Sequence, residues 1–436
     1  MTIPELTWSL VADRLTEGAT MYSDVWDNLS PLSATFYWIM SLIFNESIIA
    51  EQILSVILIL TQAAIFNTIL INHGALSENT YIPAAVYVVL ASLFFDFLIL
   101  SPVVLANTFV LLAINNVFGQ IEIRAKRDEK LLMTGVYLGI AMLFHFPYFV
   151  FGPITLIMFF VFTATITRRY FLFLFGWTLP FVLAMLYYYF HDSFGLFWSN
   201  FVRSWFLVES RTYLSTYQVL ILTGYCGLFI IIALLRIFGR ARLTNYQSRL
   251  IQAVFLMMIM SGSVLFIELD RYPYIYLLFI FPAAFFISHL FTLIKKGFKG
   301  EFVFIVFVAV ILAINYNSIE DSKNKGILNI PSYFVDGSKQ AKSIEGKKIL
   351  YLGDNVSMYQ WAQTATPFIN WRLSSGVWKN SQQLKNLTII GKSIEEESPS
   401  IIIDPDGLLN PVLQRAPKLA NKYRKDGEIY YLKSNN

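Results

Sequence analysis

Ten apolar runs fill the chain between residues 48 and 315, and they constrain its fold more than any other feature. They read at 48–72, 80–98, 100–117, 131–147, 149–166, 171–190, 217–236, 250–267, 273–294 and 301–315. A helix needs about 20 apolar residues to cross a bilayer, with some latitude for tilt. Backbone in lipid must satisfy its own hydrogen bonds, so runs of this kind are helices. Composition points the same way: 56% of the 436 residues are hydrophobic and only 14% charged, far from a soluble domain. The net charge of +4 is too small to indicate a nucleic-acid partner. The expected fold class is membrane all-α, with about ten transmembrane helices and a small C-terminal α/β domain. A further apolar run, 33–44, is too short to span and suits a helix lying in the interface.

Basic residues set the orientation. Arg124, Lys126, Arg127 and Lys130 fall in one loop, Arg168 and Arg169 in a second, Arg240, Arg242 and Arg249 in a third, Lys295, Lys296 and Lys299 in a fourth. These are alternate loops, so they are expected on the cytoplasmic side. The loops near 99–102, 145–152, 192–216 and 268–272 are poor in Lys and Arg and are expected outside, together with both termini. The expected setting is the bacterial inner membrane with periplasmic termini. Residues 1–30 contain no basic n-region or apolar h-region to direct export, so the chain either inserts with its N-terminus outside or has a first helix upstream, and the second is the expectation.

Three domains follow: an external acidic segment with a juxtamembrane helix over 1–47, a polytopic domain over 48–315 and a soluble domain over 316–436. In the last, 348–353, 400–404 and 428–432 read as strands, with helical stretches near 356–362 and 410–423. The Gly353-Asp354 turn lacks the remaining glycines of a dinucleotide fingerprint. Cys226 is the only cysteine, so no disulfide forms within the chain. Histidines are scattered, and Asp24 with Asp27 gives too few ligands to specify a cation. No cofactor is expected and no metal residues are assigned; a divalent ion stays open without support.

The order of motifs resembles the GT-C superfamily of glycosyltransferases. Glu5-Leu-Thr-Trp8, Glu17-Gly18, Tyr22-Ser-Asp24 and Asn28-Leu-Ser-Pro31-Leu32 stand in the order of that superfamily's first external loop. Gly139-Ile-Ala-Met-Leu-Phe-His145 is similar to a helix end that usually closes on lysine, and Arg271-Tyr-Pro-Tyr274 with Pro282 is similar to the entry to a late span. The pattern is also close to a group of multispanning bacterial membrane proteins of unassigned activity. Two features depart from the superfamily: Pro4 precedes Glu5 where an aspartate is usual, and the usual first helix does not precede the loop.

The resemblance implies a GT-C-like membrane glycosyltransferase, or an inactive relative, that takes its sugar from a polyprenyl-phosphate donor in the membrane lipid. Such a transfer needs a base for the acceptor hydroxyl and cations for the departing phosphate. Glu5 or Asp24 is the expected base, with Asp27 and Asp96 as further carboxylates. His145, Arg203, Arg211 and Arg271 are the expected substrate-binding groups. A non-catalytic scaffold, or a transporter or flippase component of envelope biogenesis, is the alternative. The spans carry almost no charge at mid-depth, which disfavours ion-coupled transport.

Overall fold

The computed structural model describes residues 1–436 apart from 46, 123–126, 164–165, 209, 241–242, 295–296, 322–332, 336–343 and 434–436. Of the basic loop residues, Arg124, Lys126, Arg242, Lys295 and Lys296 lie outside the described residues. The chain divides into two compact units. The first comprises Met1–Glu46, Tyr187–Val208 and Ser332–Asn436, the second Ser47–Leu186 and Glu209–Pro331.

Among the described residues, seven helices are long and apolar enough to cross a membrane: Ile48–Asn72, Pro102–Ile121, Thr167–Phe190, Thr216–Gly239, Asn245–Ile267, Pro273–Leu293 and Phe298–Ser318. This is a multi-pass, predominantly helical membrane protein. The other three runs make shorter elements. The run at 80–98 holds a ten-residue helix, Ile82–Ala91, and a separate 3-10 turn, Phe95–Leu98. It breaks where Ser92 Oγ turns back to Val89 O at 2.8 Å. The runs at 131–147 and 149–166 become Asp128–Phe144 and Phe151–Phe162, separated by the 3-10 turn Phe146–Val150. Pro147 lies in that turn and has no N–H with which to extend the preceding helix.

Helices Asp128–Phe144 and Thr167–Phe190 meet backbone to backbone. A Cβ on Gly135 would lie 2.3 Å from Phe173 O and 2.6 Å from Trp177 N, and one on Gly139 2.5 Å from Trp177 O. From the other side, a Cβ on Gly176 would lie 2.3 Å from Leu132 O. Gly135 and Gly139 are four residues apart and share a helix face, the spacing by which small residues bring helices together in lipid.

In the first unit the acidic N-terminal segment is integrated into a folded core. Helix Ile3–Thr16 is followed by turns and then by helix Pro31–Phe44, which at about 1.5 Å per residue is too short to span. Tyr37 and Met40 are buried on that helix, whereas Leu42 and Ile43 are exposed. Within the loop at 192–216 the chain forms a run of helix, Phe194–Leu207, that contains a π-helical turn at Trp198–Arg203.

Toward the C-terminus a five-stranded sheet runs in the order Gln363–Thr364, Lys348–Tyr351, Ile401–Ile403, Ile429–Leu432, Tyr423–Asp426. The first three strands are parallel and the last two close an antiparallel hairpin on them. Parallel pairing needs a crossover. Helices Trp371–Lys379 and Leu384–Glu397 carry the chain from Gln363–Thr364 across to Ile401–Ile403, on the other side of Lys348–Tyr351.

Trp26 ties the N-terminal segment to this sheet. Its N–H donates to Pro367 O at 2.6 Å and its carbonyl accepts from Asn370 N at 3.0 Å. Its ring meets Phe368 edge-on at 5.1 Å and joins Leu350, Trp378, Ile390 and Tyr430 in one core. Arg14, also buried, pairs with Glu17 at 2.8 Å and with Glu397 on helix Leu384–Glu397. Trp26→Ala is therefore expected to cost about 3–5 kcal/mol, the range for emptying a buried aromatic site. A thermal melt and limited proteolysis of residues 344–433 check this; an unchanged melt would show that the segment is not part of that core.

Candidate functional site

In the second unit, helix Asp128–Phe144 ends at His145 and helix Asn245–Ile267 ends at Glu268, each in extended conformation just past the last turn. Their side chains meet: His145 Nε2 lies 2.8 Å from Glu268 Oε2, with only 7% and 3% of the side chains exposed. An ionised carboxylate has only acceptors, so in contact with one the ring nitrogen is the donor. Two ionisable groups withdrawn from water in this way are costly unless paired, and in membrane segments such groups mark functional positions.

Further polar groups surround the pair. Tyr148 packs edge-on to the His145 ring with centroids 5.7 Å apart. Its hydroxyl donates to Asn107 Oδ1 at 2.8 Å, and Asn107 Nδ2 donates to Leu277 O at 3.1 Å. Asp96 is fully buried and accepts the backbone N–H of Tyr274 at 2.8 Å. A cavity of about 10 Å³ bounded in part by Tyr87, Asn107 and Ser261 lies beside this network. That is room for one water, so nothing sugar-sized fits there.

Arg271 follows Glu268 by three residues. Its Nε donates to Leu265 O at 2.8 Å and Nη1 reaches Thr212 Oγ1 at 3.4 Å, while Nη2 has no partner among the described residues. Arg211 stands opposite Asp270 in a two-residue parallel pairing, and its backbone N–H donates to Leu269 O at 2.6 Å. Tyr272 stacks on Tyr213 at 4.3 Å and donates to its hydroxyl at 3.1 Å. Burial pushes both phenols above their ordinary range, so they stay protonated donors.

The carboxylates of the first unit are engaged with backbone. Glu5 closes a capping box: Oε2 accepts from Thr2 N at 2.7 Å and Thr2 Oγ1 at 2.9 Å, and Thr2 Oγ1 accepts from Glu5 N. Exposed Asp24 accepts Thr20 N at 2.8 Å, and buried Asp27 accepts Leu29 N at 2.7 Å. Two residues before Asp24, Tyr22 holds φ 71°, a strained value for a bulky residue. Its buried ring packs against Tyr188, Phe197 and Phe201, and its hydroxyl donates to Leu29 O at 2.6 Å. Arg203 closes the π-helical turn with its side chain exposed and no ion-pair partner among the described residues.

The expected site residues thus fall into two sets. Glu5, Asp24, Asp27 and Arg203 belong to the first unit, and Asp96, His145, Arg211 and Arg271 to the second. Sequence reading missed Glu268, Tyr148 and Asn107. Glu268 was open to discovery as an acid at the end of an apolar run. Among the described residues no three His, Cys, Asp or Glu side chains converge to hold a metal ion. No family model, curated protein or solved structure matches the chain.

Proposed function

We propose that this chain is a GT-C-like membrane glycosyltransferase that moves a sugar from a polyprenyl-phosphate donor, with His145 as the base and Glu268 holding its ring. The observation that carries the reading is the buried His145–Glu268 pair at the ends of two apolar helices, with Arg271 three residues on. In the reaction His145 takes the acceptor hydroxyl proton, the acceptor oxygen bonds the anomeric carbon, and the bond from that carbon to the phosphate oxygen breaks. Arg271, with Arg211 in the adjacent strand, meets the charge that develops on the leaving phosphate. Purified protein supplied with a panel of polyprenyl-phosphate sugars tests this: donor turnover is expected in the wild type and not in His145→Ala. Absence of turnover across the panel, or turnover that survives the substitution, would overturn the reading.

Chain parity favours an even number of crossings within this proposal. The three segments of the first unit form one compact body, so they share one side of the membrane and an even number of crossings separates each from the next. Three long helices lie between residues 46 and 187 and four between 209 and 331. The odd group is completed by one or all of Ile82–Ala91, Asp128–Phe144 and Phe146–Phe162, which makes eight or ten crossings in total. With the basic loops cytoplasmic, that body, its small α/β domain and both termini are external.

The scaffold reading draws on a different observation: Glu5, Asp24 and Asp27 each satisfy backbone N–H groups. A scaffold would lose stability, not turnover, when they become alanine.

A further inference from the structure

The hairpin that closes the sheet carries an unbalanced set of cations. Between Leu409 and Lys433 the chain has six basic residues, Arg415, Lys418, Lys422, Arg424, Lys425 and Lys433, all exposed. The acids of that stretch are Asp426 and Glu428, both at the hairpin turn. None of the six cations has an ion-pair partner among the described residues. Arg415 Nη1 donates to Gln382 O at 2.6 Å, and Lys425 Nζ lies 5.4 Å over the Tyr430 ring.

Strand register gathers three of the others. Arg424 stands opposite Tyr431. Lys433 N donates to Lys422 O at 2.8 Å, which continues the same antiparallel register and sets those two lysines opposite each other. Residues directly opposite share a face of a sheet, as do residues two apart on one strand. Arg424, Tyr431 and Lys433 therefore share one face of the hairpin, with Lys422 at its edge. Tyr423 and Tyr430 take the other face and are buried in the core. Tyr431 stays 39% exposed.

Edge protection explains part of this charge. Charged side chains on an edge strand guard it against pairing with another chain. That accounts for Arg424 on the outermost strand, Tyr423–Asp426. It does not account for Lys433, which follows Ile429–Leu432, a strand paired on both sides. Like charges set opposite each other destabilise a hairpin, so Lys422 against Lys433 costs stability until an anion lies between them.

We propose that this face of the hairpin docks an acidic glycan, with its carboxylates on Lys422, Arg424 and Lys433 and a sugar ring on the open face of Tyr431. The need for a polyanion that also carries a ring follows from the hairpin. The choice of a glycan rests on the transferase reading.

Binding of the purified full chain, in neutral detergent at low salt, tests the proposal by thermophoresis. The probes are polygalacturonate, neutral dextran, polyphosphate and micellar dioleoylphosphatidylglycerol. Polygalacturonate is expected to bind and dextran not, with binding falling as salt rises. The triple variant Lys422→Gln, Arg424→Gln, Lys433→Gln is expected to bind polygalacturonate about tenfold more weakly or worse. Its melt is expected at or above wild type, because the opposed charges are gone. Tyr431→Val keeps a strand-forming residue and is expected to weaken polygalacturonate about threefold while leaving polyphosphate unchanged. No binding of polygalacturonate, or wild-type binding in the triple variant, would overturn the surface. Wild-type affinity for polygalacturonate in Tyr431→Val would overturn the glycan, and a preference for the phospholipid would replace it with a membrane surface. Donor turnover plays no part in these measurements, so the docking surface and the transferase reading fail separately.

Discussion

Gly135→Leu is expected to leave no folded protein to purify. In lipid there is little hydrophobic gain from bringing two apolar helices together, so association rests on close packing. At Gly135 the packing partner is backbone: the new Cβ would sit 2.3 Å from Phe173 O and 2.6 Å from Trp177 N. Neither atom can rotate away, so the helices must separate and give up the Gly139 and Gly176 contacts as well. The cost exceeds the roughly 1–3 kcal/mol of an overpacked core that can adjust its side chains. Yield and a monodisperse size-exclusion peak are the measurements, and Gly176→Leu is expected to fail in the same way. Gly224 in helix Thr216–Arg240 is the control, because nothing lies within 4 Å of its Cβ position. Gly224→Ala is expected to fold at least as well as wild type, by up to about 1 kcal/mol of helix propensity. If Gly135→Leu purified normally, the backbone contact would be wrong.

The second large effect concerns His145 and Glu268. His145→Ala strands a carboxylate with 3% of its side chain exposed, and a broken buried pair costs about 3–5 kcal/mol. Glu268→Gln is milder because it removes the charge and keeps the shape. Both are expected to lower donor turnover by about 10²- to 10⁴-fold, the contribution of a positioned base. The double substitution His145→Leu with Glu268→Met separates the roles: melts are expected to recover toward wild type while turnover stays lost. Full turnover in that double variant would mean that the pair only holds two helix ends together.

Much of the membrane domain was legible because hydropathy is a local property. The long runs at 48–72, 217–236, 250–267 and 273–294 coincide with helices to within a few residues. The run at 80–98 shows the limit, since its mean hydropathy conceals a break after Ala91 and a 3-10 turn that aims Asp96 at the backbone of Tyr274. The strands read at 348–353, 400–404 and 428–432 also appear, at Lys348–Tyr351, Ile401–Ile403 and Ile429–Leu432, because short buried strands announce themselves by β-branched and aromatic residues.

The candidate site was less legible. Acids in the N-terminal segment attracted notice as carboxylates outside the spans, yet Glu5 and Asp24 are occupied with local N–H groups three and four residues away. The pair that stands out in the structure joins residues 123 positions apart. Its members terminate different helices, and no spacing rule links them.

The sequence alone determined that the chain crosses a membrane repeatedly, where most of its helices lie and which residues could carry charge, because apolar length and residue type act locally. Only the tertiary structure decided which charges are partnered: Glu268 with His145, Arg14 with Glu397, and the acidic N-terminal segment with the C-terminal sheet through Trp26. Such pairings depend on which helix ends and strands come together in space, and that is set by the sum of packing contacts across the chain.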